Sequence, residues 1–155
     1  MSGEAVAVPR EGRLAGIDYG HVRVGISICD PLQIVASPYE VYPRGDDVAD
    51  RRRFLRLVEE EKIVGFVVGL PVHTDGQESV KSLEAREFAK WLAEVTALPV
   101  AFHDERFSSK EAKRHLNDAK LTKRKRKQRV DMVAAQIILA SFLESSRNQA
   151  PGALQ

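Results

Sequence analysis

Four acidic residues at the ends of apolar runs are where this chain could do chemistry. Asp18 closes the run Leu14 to Ile17, Asp104 and Glu105 close Pro99 to His103, and Asp131 opens a stretch from Val130 to Phe142 whose apolar residues recur at helical spacing. Side chains at element ends can converge although they lie far apart in sequence, and converging carboxylates repel one another unless a counter-charge joins them. Divalent ions supply that charge. Cleaving a phosphodiester with water needs an activated nucleophile and stabilised attacking and leaving oxygens, which two ions about 4 Å apart provide. Magnesium and manganese favour carboxylate oxygens and keep several waters, so three or four Asp and Glu side chains suffice without His or Cys. Asp104 and Glu105 cannot both face such a site, because successive side chains of a strand alternate faces. Positions 131, 134, 135 and 138 share one helical face, which puts Asp131 where the helix should meet a sheet. Plainer roles compete. Asp18 could be an ordinary turn residue, and an acid in a helix's first turn complements the helix dipole by ~0.3–1 kcal/mol.

The elements that must position these acids are legible as patterns. Leu14 to Asp18 reads as a short buried strand, Arg23 to Cys29 alternates in the β manner, and Pro38 to Tyr42 completes an antiparallel meander. From Asp46 a helix is expected, with Val48, Leu55 and Val58 on its inner face, feeding a strand from Ile63 to Leu70 rich enough in Val and Phe to be covered on both sides. Ser79 to Thr96 reads as a second helix with Ala85, Phe88, Leu92 and Val95 inward, and Pro99 breaks it before the last strand. Ser108 and Glu111 have the form of a capping box for a helix running to about Ala119. In the final helix Val130, Val133, Ala134, Ile137, Ile138, Ser141 and Phe142 form the apolar stripe. Three strands followed by alternating helices and strands give an α/β fold of the ribonuclease H-like order, a mixed five-stranded sheet with helices on both faces.

Composition bounds the rest. A chain of 155 residues that is 43% hydrophobic holds one core, expected over residues 13–146, with 1–12 and 147–155 as disordered tails. The formal charge of +2 hides a local extreme, since Lys123, Arg124, Lys125, Arg126, Lys127 and Arg129 fill six of seven consecutive positions. That block is expected to form a flexible loop beside Asp131 and to contact phosphates, which gives affinity without sequence information and weakens steeply with salt. A merely solvated charge run is the alternative. The single cysteine, Cys29, fits a buried small hydrophobe. With no internal disulfide to form and no apolar stretch of signal or membrane-spanning length, a cytoplasmic, membrane-free protein is expected.

The same residues carry a family resemblance. Gly16-Ile17-Asp18-Tyr19-Gly20 with Arg23-Val24-Gly25, Val68-Gly69-Leu70-Pro71 with Asp75-Gly76, His103 to Ser109, and Val130 to Ala135 resemble, in order and spacing, the YqgF/RuvX family. The likeness runs from about Leu14 to Leu143. It implies a ribonuclease H-like nuclease related to the RuvC junction resolvases, acting either on the 5′ end of the pre-16S ribosomal RNA or on four-way DNA junctions. It also implies that Asp18 bridges two Mg2+ or Mn2+ ions, that Glu105 holds one and Asp131 the other, and that Asp104 and Asp75 support or substitute. Gly20, Arg23 and Arg106 become candidates for substrate contact, although Arg106 could instead pair with Asp104. His21-Val22 departs from the small and basic residues that relatives place there. Junction resolution would need two symmetric cuts and so a homodimer, whereas trimming an RNA end would not.

Two other classes compete. A ribonuclease H-like domain can persist as a non-catalytic nucleic-acid-binding module. A phosphotransferase of the actin and hexokinase type also places an aspartate and a glycine after its first strand, but it needs two such domains around a nucleotide. The four histidines form no close pair and read as core or surface residues. Gly16, Gly20 and Gly25 superficially suggest a dinucleotide fingerprint, but a strand follows them where that motif requires a helix.

Overall fold

Residues 7–71, 79–105 and 123–148 are described by the computed structural model of the chain. Five strands, β1 (Arg13–Asp18), β2 (Arg23–Cys29), β3 (Ala36–Pro43), β4 (Ile63–Leu70) and β5 (Val100–Asp104), form one sheet in the order β3-β2-β1-β4-β5. β1, β2 and β3 pair antiparallel, and β4 and β5 continue parallel from β1. The C-terminal ends of β1, β4 and β5 therefore lie side by side.

Strand alternation divides the core into two layers. Ala15, Ile17, Val24, Ile26, Phe66 and Val68 point to one face, where they pack against α1 (Asp47–Glu61) and α2 (Val80–Thr96). Leu14, Cys29, Ala36 and Val67 point to the other face, against Ile138, Leu139 and Leu143 of α3 (Lys123–Asn148). Asp46 and Ser79 accept hydrogen bonds from Ala49 and Ser82 and so cap the first two helices. The segment before β1 is held as well, because the Gln33 side chain donates to the carbonyls of Pro9 and Gly12.

Three expectations about the elements change. The buried face of α1 carries Asp50, Phe54 and Leu57, while Val48 and Leu55 are 61% and 42% exposed. An inward Asp50 breaks the apolar pattern, and the competing stripe then reads as well as the real one. The block Lys123 to Arg129 is not a loop but the first two turns of α3. Lys, Arg and Gln lose little side-chain freedom in a helix, and extending an existing helix costs less than nucleating one. The buried face of α3 is centred on Ala135, Ile138 and Leu139, whereas Val130 is 38% exposed. The helix expected from Ser108 to Ala119 lies outside the described residues, as do Asp75 and Arg106.

Candidate active site

Two glycines set how closely the layers approach at the site. A Cβ on Gly16 would stand 2.8 Å from Leu139 Cβ and 2.9 Å from the Ala135 carbonyl oxygen, so α3 rests directly on β1 there. Ser27, the β2 partner of Gly16, donates from Oγ to that same carbonyl at 2.7 Å. Asp18 lies two residues beyond Gly16 on the same face of β1. Position 131 lies one helical turn before Ala135 on the same face of α3. The backbone thus brings these two positions to one corner of the sheet.

Glu105 reaches that corner from β5. Val100 and Phe102 belong to the layer of α1 and α2, so alternation assigns Asp104 to that layer and Glu105 to the face of α3. Glu105 Oε2 lies 3.1 Å from where a Cβ on Gly69 would stand, and Ile138 Cδ1 lies 2.5 Å from it. The register pairs Ile17 with Val68 and Gly69 with His103, so Asp18 stands level with Gly69, and Glu105, just past the end of β5, reaches back over Gly69. Burial pushes the Glu105 carboxyl above its ordinary range, with Lys81 partly opposing and Asp104 reinforcing that shift. Removal from water costs the ionised form, and a nearby cation would recover that cost.

The turn after Asp18 is held from the opposite face. Tyr19 packs on Phe88 with ring centroids 5.1 Å apart, and the Arg44 guanidinium lies 5.5 Å from the Tyr19 ring and 5.4 Å from that of Phe88. Arg44 donates to Asp50, which is 2% exposed and also accepts from the Tyr42 hydroxyl and the Gly45 amide. A buried carboxylate satisfied this fully fixes its partners, so the inward Asp50 orients the Tyr19 turn. In that turn a side chain on Gly20 would collide with the Arg23 carbonyl oxygen, so the chain itself requires this glycine. Asp18, Gly20, Arg23, Gly25 and Lys81 line an open cleft beside it.

Of the acids expected at the site, the described side chains of Asp18 and Glu105 stand at the ends of β1 and β5, on either side of the end of β4, and Asp104 belongs to the opposite layer. For Asp131 the backbone position is described, on the face of α3 that meets the sheet. Among the described residues no three His, Cys, Asp or Glu side chains gather as a metal site. His103 is buried, and its Nε2 has no hydrogen-bond partner among the described residues. Gly16 and Gly69 entered the sequence reading only as motif positions, without the packing role they have here, and Asp50, Arg44 and Lys81 were not singled out. A glycine inside an apolar strand is the one signal that could have found the first two.

A five-stranded mixed sheet in this order, with acids at the ends of β1 and β5 and helices on both faces, is the ribonuclease H-like architecture. Residues 12–145 match the RuvX family, described as a Holliday junction resolvase, and the chain belongs to that family. It is 52% identical over 139 residues to a protein of Rhodopirellula baltica named "Putative pre-16S rRNA nuclease", covering 90% of this chain and 80% of that one. A protein of the same name from Rhodobacter capsulatus is 39% identical over 144 residues, covering 93% and 91%. Among solved structures, the RuvC protein of T. thermophilus in complex with a Holliday junction substrate superimposes with a TM-score of 0.56 at 15% identity, over 90% of this chain and 98% of that one. The yeast mitochondrial Holliday junction resolvase Ydc2 does so with a TM-score of 0.53 at 12% identity, over 92% and 84%. At those identities the likeness is one of fold. Family and relatives together make the chain a hydrolase of phosphodiester bonds.

Proposed function

We propose that this chain is a divalent-metal-dependent nuclease that processes the 5′ end of pre-16S ribosomal RNA in the cytoplasm. The observation that carries the reading is the row of Asp18, Gly69 and Glu105 across the strand ends, with position 131 of α3 above it. The donor set fits Mg2+ or Mn2+, because it consists of carboxylates. The bare Gly69 lets Ile138 and the Glu105 carboxylate pack closely over β4, and the desolvated Glu105 gains most from an adjacent cation. In this reading Asp18, Glu105 and Asp131 would hold the ions. When bound, such ions lower the pKa of a water nucleophile and stabilise charge on the attacking and leaving oxygens.

The protein's own groups do the rest. The Tyr19 turn holds Asp18 at the end of β1, α3 shields one side of the cluster, and Arg23, which lines the cleft beside Asp18, would orient the phosphate together with Arg106. Asp104 and Asp75 act in support. The six basic residues from Lys123 to Arg129, carried on the first turns of α3, grip flanking phosphates and keep a long polyanion near the acids. Among the described residues no helix is long and apolar enough to cross a membrane.

The family's description as a junction resolvase supports a second substrate, branched DNA, and that activity would require a homodimer with paired sites. Incubating the protein with a pre-16S RNA fragment and, separately, with a four-way DNA junction, in Mg2+ or Mn2+, decides between them. RNA cleaved at its 5′ end and an intact junction are expected. Cleavage that survives Asp18→Asn defeats the metal assignment, and binding of either substrate without cleavage supports the non-catalytic module instead.

A further inference from the structure

We propose that Lys81, in the first turn of α2, is a substrate-phosphate contact that works opposite Asp18, with Arg23 on the neighbouring wall. The inference rests on the nuclease reading and adds to it a residue from an element outside the acid set. Lys81 is exposed and lines the same cleft as Asp18, Gly20, Arg23 and Gly25. The cleft encloses ≈ 230 Å³, below the range of sites that hold whole small molecules, and it suits a phosphate group with its waters better than a base and sugar. Acids stand at the strand ends and cations face them, an arrangement that separates a position for metal from a position for phosphate oxygens.

Helix stability does not explain a lysine there. Ser79 caps α2 and Lys81 follows two positions later, where the helix dipole disfavours a cation, and the first turn holds no acid to offset it. Nor does Lys81 form a salt bridge with a described carboxylate. Its charge nevertheless reaches the cluster, because it is the group that opposes the upward shift of Glu105. A compact ammonium on a flexible stem is suited to a phosphate oxygen, and its reach from the first turn of α2 covers the cleft without displacing the Tyr19 turn.

The test compares Lys81→Gln and Lys81→Arg with a control, Lys90→Gln, at an exposed position further along α2. Affinity for a fluorescent pre-16S RNA fragment is titrated in EDTA, where nothing is cleaved, across a range of salt. Lys81→Gln is expected to weaken binding about fivefold and to flatten the log–log salt slope by about 0.7–0.9, the loss of one phosphate contact, while the other two variants keep both values. In Mg2+, Lys81→Gln should raise KM more than it lowers kcat and should leave the metal half-saturation point unchanged. Unchanged affinity and salt slope overturn the proposal, as does an effect confined to metal half-saturation, which would make Lys81 only a counter-charge for Glu105. The binding arms need no cleavage, so a wild-type protein that cuts neither RNA nor junction would sink the nuclease reading while the phosphate contact is still read separately.

Discussion

Gly69→Ala tests how the site is assembled, because the added methyl falls between two of its parts. The new Cβ would lie 2.5 Å from Ile138 Cδ1, 2.9 Å from Ile138 Cγ1 and 3.1 Å from Glu105 Oε2. Ile138 is 1% exposed, so it has no solvent to swing into. Reaching ordinary contact requires its terminal methyl to retreat by about 1 Å, or α3 to lift by a similar amount. Overpacking of that kind costs about 1–3 kcal/mol, and at about 2–4 °C per kcal/mol for a chain of this size the melting temperature should fall by several degrees. Ile138→Val alone should cost about 0.5–1.5 kcal/mol. Combined with Gly69→Ala it removes the worst contact, so urea denaturation of the double variant should show a favourable coupling of about 1 kcal/mol. Some cost remains, because Cγ1 and the Glu105 carboxylate still crowd the new methyl. Additivity within about 0.5 kcal/mol would refute the contact as the reason for glycine at this position.

Three further outcomes follow from charge and burial. Burial raises the Glu105 carboxyl above its ordinary 4.5, so within that window the folded chain holds more protons than the unfolded one and stability falls as pH rises. In EDTA at pH 7, Glu105→Gln should therefore melt higher than wild type, and a lower melting point would contradict the desolvation. Burial lowers His103 below its ordinary 6.5, so the unfolded chain takes up a proton that the folded chain refuses. Stability should drop as pH falls from about 7 to about 5, and His103→Gln should flatten that dependence in melting curves recorded across the range. Replacing Lys123, Arg124 and Lys125 with Gln should weaken RNA binding and reduce the salt slope by up to about 2, with far-ultraviolet circular dichroism unchanged because Gln also favours helix.

Much of the fold follows from period and punctuation. The run Ile63 to Leu70 is uniformly apolar because helices cover both faces of β4, and Asp46 and Ser79 mark helix beginnings through oxygens that accept first-turn amides. The inner face of α1 was not legible, since Asp50 is buried for its hydrogen bonds to Arg44, Tyr42 and Gly45 and those partners are known only in three dimensions. The basic block looked like a loop because charge runs are solvated, yet solvation does not oppose helix in long side chains. Asp18 and Glu105 were legible as chemistry because each ends an apolar run. The packing role of Gly16 and Gly69 was not, because what they accommodate is a helix more than 60 residues away in the chain. Lys81 belongs to no pattern at all and gains meaning only from the cleft it shares with Asp18.

Manganese binding, followed by electron paramagnetic resonance on the full chain, addresses the acid cluster most directly. Wild-type protein should take up two ions, and Asp18→Asn, Glu105→Gln and Asp131→Asn should each weaken uptake by about tenfold or more. The same stoichiometry and affinity in Asp18→Asn and Glu105→Gln as in wild type would contradict a metal site at these strand ends.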